Sequence, residues 1–136
     1  MIEENKTRHV RSEINVAQDA LEESAILFEK GLIRGAISRL YYFLFHMIRA
    51  LLASKGLEPK SHDGVERLFS LHFVKEGIFD PSDAKVLAVL MKYRSNADYK
   101  PEYVFTNEDY IEYKEKAGLF SEKIKTFLKE KGYLED

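Results

Sequence analysis

The stretch Tyr93-Arg94-Ser95-Asn96-Ala97-Asp98-Tyr99-Lys100-Pro101 sets an arginine and an aspartate four residues apart, just where a helix must stop. On one helix face the two side chains can pair. The order is the weaker one, and a carboxylate in the last turn opposes the helix macrodipole. An exposed pair of this kind contributes about 0.5 kcal/mol at most, so local stability does not account for it. Sequences break local rules where a tertiary contact or a function requires it. Arg94 and Asp98 therefore either fix this helix end to a neighbour or belong to a site.

A second candidate lies on the segment from about Leu32 to Lys55. Drawn at 100° per residue, its apolar residues from Ala36 to Leu52 cover roughly two thirds of the circumference. Gly35, Ser38, Arg39, Tyr42, His46, Arg49 and Ala53 share the remaining arc. An average helix would turn such an arc to solvent. Two arginines, a tyrosine and a histidine among small residues have instead the composition of a site, or of a polar seam between subunits.

Other chemistry finds less support. There is no cysteine, hence no disulfide, thiolate metal site or cysteine nucleophile. His9, His46, His62 and His72 form no HExxH, no Glu-x-x-His and no pair at ligand spacing, so no metal or other cofactor is expected, and folding and binding should survive a chelator. No glycine-rich phosphate loop or Ser-His-Asp spacing is present. His62, in Ser61-His62-Asp63-Gly64, falls at a helix start where Ser61 or Asp63 caps. Tyr41, Tyr42 and Tyr93 default to core or interface aromatics.

Five periodic segments must position these residues. Segment one, from about Ile2 to Lys30, repeats Val10, Ile14, Ala17, Leu21, Ala25 and Phe28 at helical spacing and stops at Gly31. Segment two is the one above. Segment three covers about Asp63 to Lys75 with Val65, Leu68, Phe69 and Phe73 inward. Segment four opens with Asp80 as N-cap, Pro81 at the first helical position and Asp83 at the third; it ends by Lys100, because Pro101 disfavours helix just before it. Segment five opens with the capping-box pattern Thr106-Asn107-Glu108-Asp109 and carries Tyr110, Tyr113, Ala117, Phe120, Ile124 and Leu128 inward. No stretch reads as a strand. The expectation is an all-α, up-and-down bundle of four main helices plus one short helix, a single domain over 1–136. The apolar coverage of segment two further predicts a homodimer, since a four-helix bundle seldom surrounds one helix so fully.

The 136 residues are 45% hydrophobic and 32% charged with a formal net charge of −2, so contact with nucleic acid would need a local basic cleft. The opening residues lack the apolar core of a secretory signal, and the longest apolar run, interrupted by His46 and Arg49, is too short to span a bilayer. A cytoplasmic protein with no membrane contact is expected.

The stretch from Ala36 to Phe69 (AISRLYYFLFHMIRALLASKGLEPKSHDGVERLF), together with Tyr93–Tyr99 (YRSNADY), resembles the HEPN family, in its small stand-alone prokaryotic branch. The resemblance covers most of the chain. It implies a dimerising helical bundle, often one half of a toxin–antitoxin pair with a minimal nucleotidyltransferase as partner. Many HEPN proteins are metal-independent endoribonucleases with a motif of arginine, four to six residues, then histidine, the motifs of two subunits facing one cleft.

Arg94 matches the motif's arginine, and Ser95 or Asn96 the polar residue often found after it. The histidine is missing: its allowed places hold Tyr99, Lys100 and Pro101. Attack by a ribose 2′-hydroxyl needs a proton acceptor near neutral pH, which imidazole supplies and a tyrosine of ordinary pKa, about 10, does not. Arg94 retains the bidentate geometry that holds a phosphate. The resemblance thus implies binding of a nucleotide or RNA phosphate, or of a nucleotidyltransferase, through Arg94, Asp98, Tyr99, Arg39, Tyr42, His46 and Arg49. Arg94 and His46 are the catalytic candidates, His46 supplying the imidazole if segment two lines the same cleft. An active endoribonuclease toxin and a non-catalytic, partner-binding bundle are the alternatives, and RNA cleavage is expected to be weak or absent.

Overall fold

The computed structural model describes residues 3–135; Met1, Ile2 and Asp136, which the sequence reading takes in, lie outside the described residues. Five α-helices follow one another: α1 (Glu3–Glu29), α2 (Ile33–Ala53), α3 (His62–Phe69), α4 (Pro81–Tyr99) and α5 (Asn107–Glu130). Among the described residues there is no strand, and none of the helices is long and apolar enough to cross a membrane. The all-α bundle with four long helices and one short one is the expected architecture.

Gly31, at φ 78°, turns the chain between α1 and α2, a left-handed conformation that glycine adopts without a Cβ clash. The two helices then run antiparallel along their whole length: Ser24 meets Ala36, Glu23 meets Arg39, and Glu13 meets His46. Ser24 also bonds the Tyr110 hydroxyl at 2.9 Å, which fixes the start of α5 on the end of α1. At the opposite end of α5 the Tyr133 hydroxyl reaches Glu3 and the Ser54 carbonyl. Helix α2 lies at the centre, packed on α1, α3, α4 and α5. Apart from Tyr42, every apolar residue from Ala36 to Ala53 is buried, including Ala53, which the helical wheel had placed on the polar arc. One chain therefore surrounds α2 by itself, and its apolar coverage does not call for a second copy.

The expected capping box forms at α5 between Thr106 and Asp109, and at α4 the Asp83 carboxylate accepts from the Asp80 N–H at 3.1 Å. Ser61, rather than Asp63, caps α3 by accepting from the Gly64 N–H at 2.9 Å. The third segment is not one continuous α-helix: after Phe69 it widens into a π-helical turn, Ser70–Val74, in which the Lys75 N–H donates to the Ser70 carbonyl. The wider turn brings residues four apart closer to one face. Phe69 and Phe73 lie stacked, 6.0 Å apart and 19° from parallel, and both are fully buried.

The end of α4 is set by a residue that no periodicity singles out. Arg34, in the first turn of α2, donates to the carbonyls of Asn96 (3.0 Å), Ala97 (2.9 Å), Lys100 (2.8 Å) and Tyr103 (2.6 Å). These include carbonyls that a helix end leaves without intrahelical donors. The guanidinium also supplies positive charge where the macrodipole wants it, so Asp98 in the same turn is tolerated. Arg34→Ala is expected to lower unfolding free energy by about 2–4 kcal/mol in urea, and Arg34→Lys to recover less than half of that for want of the fork. A wild-type midpoint in Arg34→Ala would contradict this role.

Candidate functional site

Because Arg34 anchors the last turn of α4, Arg94 one turn earlier faces the start of the polar arc on α2. Its guanidinium carbon lies 5.4 Å from the centre of the Tyr41 ring. Nη1 donates to Asp98 at 3.2 Å, and Nε is buried without a hydrogen-bond partner among the described residues. The Arg94 side chain is 16% exposed and that of Asp98 36%. The pair expected on spacing is therefore present, but it occupies only one of the arginine's nitrogens.

Tyr41 connects Arg94 to a histidine. Fully buried, its hydroxyl lies 2.6 Å from Nδ1 of His62, the first residue of α3. Burial pushes the Tyr41 phenol well above its ordinary range, although the Arg94 charge opposes this. Burial, and then the Arg94 charge, hold the His62 imidazole below its usual value of 6.5, with Asp63 acting weakly the other way; His62 is thus neutral near pH 7. The His62 ring also packs on Phe45 (4.9 Å between centroids) and Tyr42 (6.0 Å). Arg39 lies over Tyr42 at 5.2 Å and pairs with Glu23 of α1 at 3.2 Å.

Further along α2 the arc is organised by Glu13 of α1, a carboxylate only 7% exposed. One oxygen accepts from His46 Nδ1 at 2.7 Å and the other from Arg49 Nε at 2.7 Å; Arg49 Nη1 donates in addition to the Pro59 carbonyl at 2.6 Å. His9 approaches the same carboxylate at 3.4 Å and Glu58 at 2.8 Å. Burial alone would raise the Glu13 pKa, but the hydrogen bonds from His46 and Arg49 outweigh it and bring it from 4.5 down to about 2. An ionised carboxylate only accepts, so the Nδ1 of His46 carries a proton and, in the neutral ring, Nε2 keeps its lone pair. Phe45 and Tyr42 lie between the two histidines, with the His46 ring 5.3 Å from Phe45 and 6.3 Å from Tyr42.

Of the residues chosen from sequence, Arg94, Asp98, Arg39, Tyr42, His46 and Arg49 thus belong to one chain of contacts along α2. They do not share one environment: Arg49 donates to both Glu13 and the Pro59 carbonyl, whereas Arg94 has Asp98 as its one hydrogen-bond partner among the described residues. Tyr99 is 74% exposed, with no side-chain hydrogen bond or aromatic contact among the described residues. Asn96 is buried and its carbonyl serves Arg34; Ser95 is half-buried. Sequence reasoning missed Glu13, Arg34, the connecting role of Tyr41, and the place of His62 beside Arg94. Glu13 did carry a signal, a charge at a core position between Val10 and Ala17 of the apolar stripe.

The Glu13 shift has a definite sign. A carboxylate whose folded pKa is depressed stabilises the fold above its unfolded value, and that contribution is lost as pH falls from 4.5 through about 2. The shift corresponds to about 3 kcal/mol. Glu13→Gln should therefore be less stable than wild type at pH 6, with the gap closing as pH approaches 2. A gap that stays constant from pH 6 to pH 2 in urea titrations would contradict the assignment.

The chain matches the HEPN domain model over residues 10–130. It is 36% identical over 121 residues to a Methanocaldococcus jannaschii protein named "Putative toxin MJ0605", covering 89% of this chain and 90% of that one. A second protein of the same organism, "Putative toxin MJ0142", is 31% identical over 127 residues, 93% of this chain and 86% of the other. A "UPF0332 protein" of Thermotoga maritima is 29% identical over 114 residues, 84% and 86% of the two chains. With this coverage, and with the five-helix bundle on which Arg94 and the α2 arc stand, the chain belongs to the HEPN domain family.

Proposed function

We propose that this HEPN protein binds the phosphate of a nucleotide or of RNA through Arg94 and the adjoining part of the α2 arc, as the toxin-like half of a two-protein system. The observation that carries the reading is the state of Arg94. Arg34 donates to four backbone carbonyls, and Arg49 to the buried Glu13 carboxylate and the Pro59 carbonyl, whereas Arg39, like Arg94, has one partly exposed carboxylate partner and an unpaired Nε. Arg94 holds a single partially exposed carboxylate, leaves Nε unpaired, and is backed by an aromatic face that limits its hydration. A phosphate offers two oxygens in the geometry of the guanidinium fork and can displace Asp98 at small cost. The toxin names of two relatives agree with the setting.

The reading places the protein in the cytoplasm as a homodimer, with a nucleotidyltransferase as cognate partner. Tyr99 and Val104, 74% and 81% exposed, flank the Arg94 helix end and offer apolar surface for such a contact. The Glu13–His46 pair favours a second reading, endoribonuclease activity. A histidine oriented by a buried carboxylate, with Nε2 free to take a proton, is the arrangement general-base catalysis uses. Nothing in this reading needs a metal, and among the described residues no three or more histidine or carboxylate side chains are placed to hold a metal ion together.

Arg94→Ala should weaken binding of a labelled single-stranded RNA or of AMP about ten-fold or more in chelator while leaving the melting temperature nearly unchanged, and Asp98→Ala should bind at least as well as wild type. Equal losses of stability in both variants, about 1–3 kcal/mol, with binding untouched, would make the pair structural and remove the proposal. Light scattering should give twice the 15.8 kDa chain mass; a monomer at micromolar concentration would contradict the dimer.

A further inference from the structure

We propose that His62 is a phosphate-binding residue, presenting an Nε2–H donor beside the Arg94 guanidinium to a phosphate oxygen, with Tyr41 as the positioning residue that sets its tautomer. The inference rests on the phosphate reading of Arg94 and adds to it a residue from a different helix.

The tautomer follows from hydrogen-bond accounting. Tyr41 is fully buried, and His62 Nδ1 is the one hydrogen-bond partner of its hydroxyl among the described residues. If Nδ1 carried the proton and donated to the phenol oxygen, the Tyr41 O–H would be left buried and unsatisfied, which costs about 1–3 kcal/mol. The hydroxyl therefore donates and Nδ1 accepts. A neutral imidazole has one N–H, so in His62 it must be at Nε2. Desolvation and the Arg94 charge both favour the neutral ring, and the raised pKa of Tyr41 keeps its proton on oxygen.

Nε2 itself makes no hydrogen bond among the described residues, is not among the fully buried atoms that lack one, and belongs to a half-buried residue, so it is accessible to a ligand atom. Arg94 meets the ring of Tyr41 and His62 meets its hydroxyl, which puts a cationic fork and a neutral N–H donor on the same tyrosine. The nearby carboxylates of α3, Asp63 and Glu66, are hydrogen-bonded to neither. This is a donor set for an anion. The two histidines then differ in which ring nitrogen carries the proton when neutral: Nδ1 in His46, against the Glu13 carboxylate, and Nε2 in His62. A phosphate oxygen, which accepts only, suits His62.

Two measurements on the full-length protein test this. Long-range proton–nitrogen NMR correlations should show neutral His62 protonated at Nε2, and Tyr41→Phe, which removes the hydroxyl and keeps the ring, should make the two tautomers comparable. A neutral His62 protonated at Nδ1 in the wild type would overturn the proposal without any ligand. Binding of inorganic phosphate, AMP and a short single-stranded RNA should be compared for wild type, His62→Ala, His62→Asn and Arg94→Ala; the three probes distinguish a free phosphate, a nucleotide and a polymer as its source. The expected result is a loss of about ten-fold or more for His62→Ala, with part of it recovered by the asparagine amide. Wild-type binding by both His62 variants alongside a loss in Arg94→Ala would overturn the role of His62 and leave the Arg94 reading intact. Unchanged binding in Arg94→Ala, or no binding of any probe by wild type, would overturn both.

Discussion

The grip of Arg34 on the last turn of α4 is the contact on which the geometry of the site depends. A last helical turn with carbonyls short of donors and an aspartate among its residues is an unfavourable end in isolation. One guanidinium from the first turn of α2 changes that by donating to Asn96, Ala97, Lys100 and Tyr103 together. The register of α4 on α2 follows, and with it the position of Arg94 over Tyr41. Arg34 and Arg94 carry the same charged group within one region, yet they do opposite things. Arg34 is satisfied by backbone and rigid; Arg94 is held in place by its neighbours and left short of partners.

The same division runs along α2. At one end, Glu13 pairs with Arg49 and accepts a hydrogen bond from His46 Nδ1, so that two residues that look free on a helical wheel are tied to α1. This keeps a cationic cluster at an interior face without an unpaired charge, which would cost several kcal/mol. At the other end, the Tyr41 hydroxyl hydrogen-bonds His62 and its ring face meets Arg94. Phe45 and Tyr42 separate the two ends and pack on both histidines. Two imidazoles from different helices, α2 and α3, packed on the same Phe45 and Tyr42, with an under-bonded arginine beside one of them, are hard to explain as core packing alone.

Much of the fold was legible in the sequence because the signals that make helices are local. Asp80-Pro81 and Thr106 to Asp109 start their helices by capping chemistry that acts within one turn, and Gly31 stops one by a backbone conformation. The π-turn after Phe69 was not legible, because it answers to the stacking of Phe69 and Phe73, a tertiary demand. The polar arc of α2 could be located but not interpreted. Whether Arg49 is tied or free depends on Glu13, 36 residues away in sequence, and no period links the two. His62 was seen as a helix start, which it is; its alignment with Arg94 through Tyr41 exists only once α3 lies on α2. The missing motif histidine drew attention to positions 99–101, whereas the imidazole that reaches the Tyr41 ring beside Arg94 comes from α3.

The central claim is that Arg94, unlike Arg34 and Arg49, is available to a phosphate. Side-chain nitrogen NMR of the arginines during a titration with AMP, in chelator and at constant ionic strength, tests it most directly. The account predicts a saturable shift of the Arg94 resonances, with Arg34 and Arg49 unmoved. Arg94 resonances that stay in place while AMP binds elsewhere, or small unsaturating shifts shared by all arginines, would contradict it.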